Sequence, residues 1–303
     1  MASSQFRPHT PYLYLAVPLI LLAVFFVMPV FFAIQMSGMD YSHDLYTPEF
    51  VGLENYQRLA ASPEFWNSLW VTLLFVVGVV PAMCTLPMAL AVLVNGNLKG
   101  ISVFRTLLYI PVIISMVVVG IAWKWLYAYD GLINYLLTTI GLPKVGWLVN
   151  PDVALYAVMV VIVWKGLAYY MMMYLAHLQS IPKELYEAAE IDGASTWQQH
   201  WNVTLPALWP TLVMVAIIST IGSLKIFTEI YVMTQGGPMG STQTLVYYLY
   251  QRAFENLDLG VACAAGLVLM GILLVLSIVQ MRFSDWESLP SGKKPTVKGA
   301  VKA

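Results

Sequence analysis

Two groups of residues in this chain have types and spacings suited to chemistry, and both suit binding rather than bond breaking. In the first, Lys165 and Tyr169 stand four positions apart with Gly166 between them. On a helix that spacing puts an ammonium and a phenol ring on one face, with a glycine where backbone can come close to a guest. In the second, Ser219, Gly222, Ser223 and Ile226 repeat on one face in the same way. Hydroxyls and an ammonium offer hydrogen bonds, while the ring and the isoleucine offer apolar surface, so a polar guest with a hydrophobic face fits between the two groups. Serine and glycine are also the residues through which apolar helices pack together, so the second group carries both readings. Lys165 is open in the same sense. Facing a cavity it favours an anionic guest, yet its long stem also lets the ammonium reach a carbonyl elsewhere.

Bond-breaking signatures are missing. A phosphate cradle needs a glycine-rich loop ending in Gly-Lys-Ser or Gly-Lys-Thr, and Asn95-Gly-Asn-Leu-Lys-Gly100 has the wrong spacing and order. The chain has no His-Glu-x-x-His pair, no Cys-rich metal spacing and no Gly-x-Ser-x-Gly elbow. His9, His43, His177 and His200 are scattered, and Cys84 and Cys263 fall in apolar stretches as small fillers. The expectation is a chain with no catalytic residue, metal or cofactor of its own.

The elements that must position these groups are set by hydrophobicity. With 59% hydrophobic and 10% charged residues among 303, and a mean hydropathy of +0.73, the chain cannot cover a soluble globule. Six stretches reach the length needed to cross a bilayer: Tyr12 to Gln35, Trp66 to Leu93, Val103 to Tyr127, Val153 to Leu178, Leu212 to Thr234 and Leu259 to Met281. The first is too long for a signal-peptide core and lacks a small-x-small cleavage site, so it reads as retained. Pro81, Pro87 and Pro111 interrupt the spans and predict a packed, bending bundle of all-α membrane type. The division is one transmembrane unit over 12–283 between tails of 1–11 and 284–303. Arg7, Lys99, Arg105, Lys183, Arg282, Lys293, Lys294, Lys298 and Lys302 fall on one side, against Arg58, Lys144 and Arg252 on the other. Lys and Arg resist translocation, so both termini are expected to be cytoplasmic. The Lys-rich last segment suits anionic lipid heads rather than nucleic acid.

One wet segment, Ser180 to Pro206, separates the fourth and fifth spans. Ser180, Pro182 and Glu184 suit the start of a short helix, and Gly193 can supply the left-handed residue that ends it. Ser195 with Gln198 forms a capping box for a second helix, which Leu205-Pro206 is expected to halt. The product is an L-shaped elbow on the cytoplasmic side.

Glu187-Ala188-Ala189, then Gly193, then Val203-x-Leu205-Pro206 resembles the EAA loop of ATP-binding-cassette importer permeases. Phe50-Val-Gly-Leu-Glu-Asn-Tyr56, Trp164-Lys-Gly166 and Thr234-Gln-Gly-Gly-Pro238 followed by Ser241-Thr-Gln-Thr-Leu245 are similar to the carbohydrate, maltose-permease-like branch. The resemblance runs from about Tyr12 to Phe283. It implies a type I importer permease bundle in the cytoplasmic (inner) membrane of a prokaryote. It also implies a second homologous permease, two nucleotide-binding ATPase subunits that hold ATP and Mg, and an external solute-binding protein. The first elbow helix becomes the coupling helix seated in a cleft of the ATPase. Leu185 and Tyr186 offer it apolar contact, Ala188 and Ala189 allow close approach, and Glu187 offers a carboxylate. Asp192 and Gly193 complete the loop, and Leu205 and Pro206 set the exit of the fifth span. The solute, a sugar, oligosaccharide or polyol, is expected between the fourth and fifth spans, against the two residue groups above. The Gly-Gly-Pro segment is expected to meet the binding protein or only to reverse the chain. The rival class is a secondary transporter, which needs an intramembrane ion relay and internal repeats. Lys165 is the only strongly intramembrane charge, with Lys124, Lys225 and Glu229 nearer the outer ends of spans.

Overall fold

The computed structural model describes residues 10–41, 47–96 and 100–285. The two tails lie outside the described residues except where they join the first and sixth spans, and so do Arg7, His9, His43, Lys99 and the lysines beyond position 285. Among the described residues the regular structure is helical, apart from a two-residue antiparallel pairing of Met39–Asp40 with Glu49–Phe50.

Five helical stretches are long and apolar enough to cross a membrane: Tyr14–Ser37, Pro63–Val94, Pro151–Leu178, Thr196–Leu224 and Leu259–Arg282. The third span, expected as one stretch from Val103 to Tyr127, is broken. Helix Ile101–Ile113 and helix Met116–Leu126 meet at 99°, with extended backbone at Ile114 and Ser115 between them. Pro111 lies two residues before the break, where it withholds an amide and crowds the preceding turn. The fifth span departs from expectation as well. Its helix ends at Leu224, residues 225–227 are not helical, and a separate short helix, Thr228–Met233, follows.

Pro206 does not halt the elbow's second helix. Helix Thr196–Gln199 passes through a π-turn, His200–Thr204, directly into Leu205–Leu224, so elbow and fifth span are one continuous rod. The first span uses the same device: π-turn Ala23–Val27, then Met28, then Pro29. In both, the proline is the second residue past the π-turn. The wider turn relieves the clash between the proline ring and the carbonyl one turn back.

The second and fourth spans form the centre of the bundle. They close to van der Waals distance because Gly78 and Gly166 lack side chains: a Cβ at Gly78 would sit 2.7 Å from Met159 Sδ, and one at Gly166 2.5 Å from Met83 Cε. The Tyr174 hydroxyl donates to the Cys84 carbonyl at 3.1 Å across this pair. The first span packs chiefly on the sixth, and most of the apolar surface of Tyr14–Ser37 is bare among the described residues. Its end is clamped by Asn55, fully buried, whose amide donates to the Ser37 and Met39 carbonyls at 3.0 and 2.8 Å. The Tyr56 hydroxyl donates to Ser37 Oγ at 2.9 Å. Asn-Tyr in the Phe50–Tyr56 motif is therefore a structural latch between the first and second spans.

Candidate functional site

The second, fourth and fifth spans enclose a cavity of about 340 Å³. Phe75, Val79 and Met83 line it from the second span, and Ile162 and Tyr170 from the fourth. Ser219, Gly222 and Ser223 line it from the fifth, Lys225, Ile226 and Phe227 from the break after that span, and Thr228 and Glu229 from the short helix beyond. It is thus apolar and aromatic on one side and polar on the other, the usual make-up of a small-molecule site. Non-helical backbone at membrane depth is tolerated where it lines such a cavity. The carbonyl freed at the fifth-span break is taken up by the Thr244 hydroxyl, which donates to Ile226 O at 3.2 Å.

All four fifth-span residues singled out from sequence meet at this cavity. They differ in what they have free. Ser219 Oγ donates back to the Val215 and Ala216 carbonyls at 2.7 and 3.2 Å, so its proton is engaged in the helix. Gly222 has open space at its Cα. The three fourth-span residues lie elsewhere. Gly166 is filled by Met83, so its bareness serves helix packing. Tyr169 is 44% exposed and meets Tyr170 edge-on at 5.2 Å. One position along the helix turns the side chain by about 100°, which is why Tyr170 and not Tyr169 reaches the cavity. Lys165 turns toward the third span: its Nζ donates to the carbonyls of Pro111 (3.0 Å), Val112 (3.5 Å) and Ile114 (2.6 Å). Three carbonyls match the three ammonium protons.

Tyr170, Glu229 and Phe75 are among the cavity residues that sequence reasoning missed. Gly166 and Tyr170 share a face as well as Lys165 and Tyr169 do, so spacing alone could not choose between the tyrosines. Glu229 was placed near the outer end of an unbroken span. The break at 225–227 instead brings it into the wall of the cavity that Ser223 also lines.

At the far end of the fifth span, the elbow is built from local signals. Gly193 holds φ +78°, as expected, and closes helix Lys183–Ile191. The capping box is complete, with Ser195 N donating to Gln198 Oε1 at 2.8 Å and Gln198 N to Ser195 Oγ at 3.4 Å. Ser180 does not cap. Its hydroxyl donates to the fourth span's His177 carbonyl at 2.7 Å, and the helix starts after Pro182 with no side-chain cap. Leu185, Glu187, Ala188, Asp192 and Gly193 face outward, Ala189 is partly covered, and Ile191 is 87% exposed. Trp197 and Trp201, in edge contact at 5.8 Å, extend this bare apolar surface onto the second arm. None of these three had been singled out. Tyr186 points the other way: its hydroxyl lies 3.1 Å from that of buried Thr204, which also meets His200 Nδ1 at 3.3 Å. Leu205 is half-buried and Pro206 exposed at the start of the membrane rod. His177 Nδ1 and Thr211 Oγ1, 2.5 Å apart, tie the fourth and fifth spans just inside the elbow.

A family profile described as "Binding-protein-dependent transport system inner membrane component" matches residues 10–286. The chain is 35% identical over 280 residues to the lactose transport system permease protein LacF of Rhizobium radiobacter, spanning 89% of this chain and 92% of that protein. It is 35% identical over 275 residues to the trehalose/maltose transport system permease protein MalF of Thermococcus litoralis, with the same shares. Among solved structures, a chain of a bacterial ABC transporter involved in import of the acidic polysaccharide alginate matches with a TM-score of 0.82. The two are 25% identical, over 91% of this chain and 95% of that one.

Proposed function

We propose a function from one premise: this chain belongs to the binding-protein-dependent transport system inner membrane component family. It is the permease subunit of an ABC importer and carries a carbohydrate across the membrane. The relatives named for lactose and for trehalose/maltose support a saccharide cargo. A secondary transporter would need its own ion relay, whereas members of this family work with a binding protein.

The observation that carries the mechanism is the single rod Thr196–Leu224. One end holds the capping box of the elbow and the other holds Ser219, Gly222 and Ser223 at the cavity. Two ATPase subunits would bind ATP and Mg and hydrolyse the nucleotide. This chain supplies no group to that chemistry. Helix Lys183–Ile191 seats in the ATPase through Leu185, Ala188, Ala189 and Ile191, with Glu187 set for a basic group and Asp192 and Gly193 closing its end. Tyr186 and Thr204 carry the displacement into the second arm, and Leu205 and Pro206 pass it through the π-turn to the cavity. There Tyr170 and Phe75 give a sugar ring its apolar platform, while Ser223 and Glu229 take its hydroxyls. A second permease covers the bare first span, the external binding protein delivers the solute at the end opposite the elbow, and both termini are cytoplasmic.

Reconstitution in vesicles with the partner permease, the ATPase subunits and the binding protein tests this reading. Uptake of a labelled saccharide should require ATP and the binding protein together. Uptake driven by an ion gradient without the ATPase would overturn it.

A further inference from the structure

The ammonium of Lys165 occupies the carbonyl cup at the end of helix Ile101–Ile113. A helix end leaves its last carbonyls without intrahelical partners, and inside a bilayer water does not replace them. The cation also suits the negative end of the helix dipole. The inner half of the broken span packs on the fourth span. The outer half, Met116–Leu126, meets the fourth span through Trp123 and Trp164, edge-on at 5.4 Å, and packs on helix Thr228–Met233. That second contact is close: a Cβ on Gly120 would stand 2.9 Å from Val232 Cγ1. Helix Thr228–Met233 carries Thr228 and Glu229 into the cavity wall. Glu229 lies within electrostatic reach of Lys165 without forming an ion pair with it.

We propose that Lys165 is a positioning residue of transport: by pinning the break in the third span it fixes the outer half of that span, and through Gly120 and Val232 it fixes the wall that bears Glu229. It acts on the solute only through that wall. The inference goes beyond the importer reading and relies on it for its transport readout alone. With the pin removed, the carbonyls of Pro111, Val112 and Ile114 need other partners, and the 99° junction loses what holds it.

The test uses the full reconstituted importer with Lys165→Met and Lys165→Arg. Loss of a charged hydrogen-bonding partner predicts a fall of about tenfold or more in maximal uptake for the Met variant. Its KM for a neutral saccharide should rise together with the fall in rate, because the wall that bears Glu229 is no longer held. Arg, which keeps a cation and several donors, should restore most of the rate. A raised KM with an unchanged maximal rate would overturn the proposal and return Lys165 to direct solute contact, and an unchanged pair of values would overturn it outright. A second measurement does not depend on transport. Spin labels on exposed Leu107 and Ile121, one on each half of the third span, report the junction in detergent-solubilised protein. Their distance distribution should broaden and shift in Lys165→Met and return in Lys165→Arg, and a distribution that is the same in all three proteins would overturn the pin. If wild type itself carries no saccharide while the label distances respond, the importer reading fails and the pin stands.

Discussion

Tyr186 and Thr204 hold hydroxyl to hydroxyl at 3.1 Å, across the corner between the elbow's two arms. Thr204 is 2% exposed and lies in the π-turn that opens the fifth span, so this contact joins the outer helix to the membrane rod. Gly193 alone would leave the corner a hinge, because a glycine with positive φ has wide freedom on either side. The tyrosine makes the corner transmit force. Tyr186→Phe removes only the hydroxyl, a link of about 0.5–1.5 kcal/mol. Solute-stimulated ATP hydrolysis should fall severalfold with the amount of assembled complex unchanged. Stimulation at the wild-type level would show that the corner is held by packing alone.

Ile191 is 87% exposed at the end of the first elbow helix, and Leu185 is 49% exposed six residues earlier. An apolar pair left bare beside four carboxylates suits a docking face rather than a solvated one. Ile191→Asp should leave the chain in the membrane and sharply reduce ATPase subunits recovered with it on purification. Glu187→Lys should weaken recovery less, since exposed ion pairs contribute only about 0–1 kcal/mol. Equal recovery in both variants and wild type would place the docking surface elsewhere.

The parts that were legible in the sequence are those fixed by neighbours in the chain. Ser195, Gln198 and Gly193 act within a turn of themselves, so the elbow's cap and stop could be read directly. The hydrophobic stretches gave the spans for the same reason, and 3.6-residue periodicity gave the fifth-span face of the cavity. The break in the third span was not legible, because what allows it is a lysine 51 positions away along the chain. Thr244 supplies the matching cap at the fifth-span break from 18 positions away. Pro206 misled because a proline stops a regular helix, while a π-turn just before it lets the helix continue.

Asn55 is buried completely and spends its amide on two carbonyls at the end of the first span. Asn55→Ala would leave both without that donor, at a cost of about 1–3 kcal/mol for buried groups. The purified subunit in detergent should lose thermal stability, and limited proteolysis should cut first between the first and second spans. Asn55→Asp keeps the shape but offers no amide protons, so it should be no better. A melting curve unchanged by either substitution would argue against the latch.

Orientation can be read with two cysteines placed in a background where Cys84 and Cys263 are alanine. Met239 is 93% exposed beside the Gly-Gly-Pro turn, and Ser195 is exposed on the elbow, at the opposite end of the bundle. An impermeant thiol reagent added to intact cells should label Met239→Cys and leave Ser195→Cys unreacted. The reverse pattern would invert the topology and remove the elbow from the side on which an ATPase can dock.

The cavity itself separates contact from packing. Ser223 lines it with a hydroxyl that makes no hydrogen bond within the described residues, whereas the Ser219 hydroxyl is engaged with its own helix. Ser223→Leu fills space where a solute would sit and should cut uptake strongly, while Ser219→Ala should cost little. Glu229→Gln keeps the shape of an acceptor and removes its charge. Hydrogen bonds to charged groups contribute about 1.5–3 kcal/mol against about 1 kcal/mol for neutral ones, so the KM for a neutral saccharide should rise several-fold to about thirtyfold. Assembly and basal ATP hydrolysis should stay level in all three variants, because none of these side chains bridges two helices through a hydrogen bond. If uptake and basal hydrolysis fall together in each, the cavity is a packing seam and the solute passes elsewhere in the bundle. If only uptake falls, in the order Ser223→Leu, Glu229→Gln, Ser219→Ala, the ranking follows from which polar atoms the fold has left free.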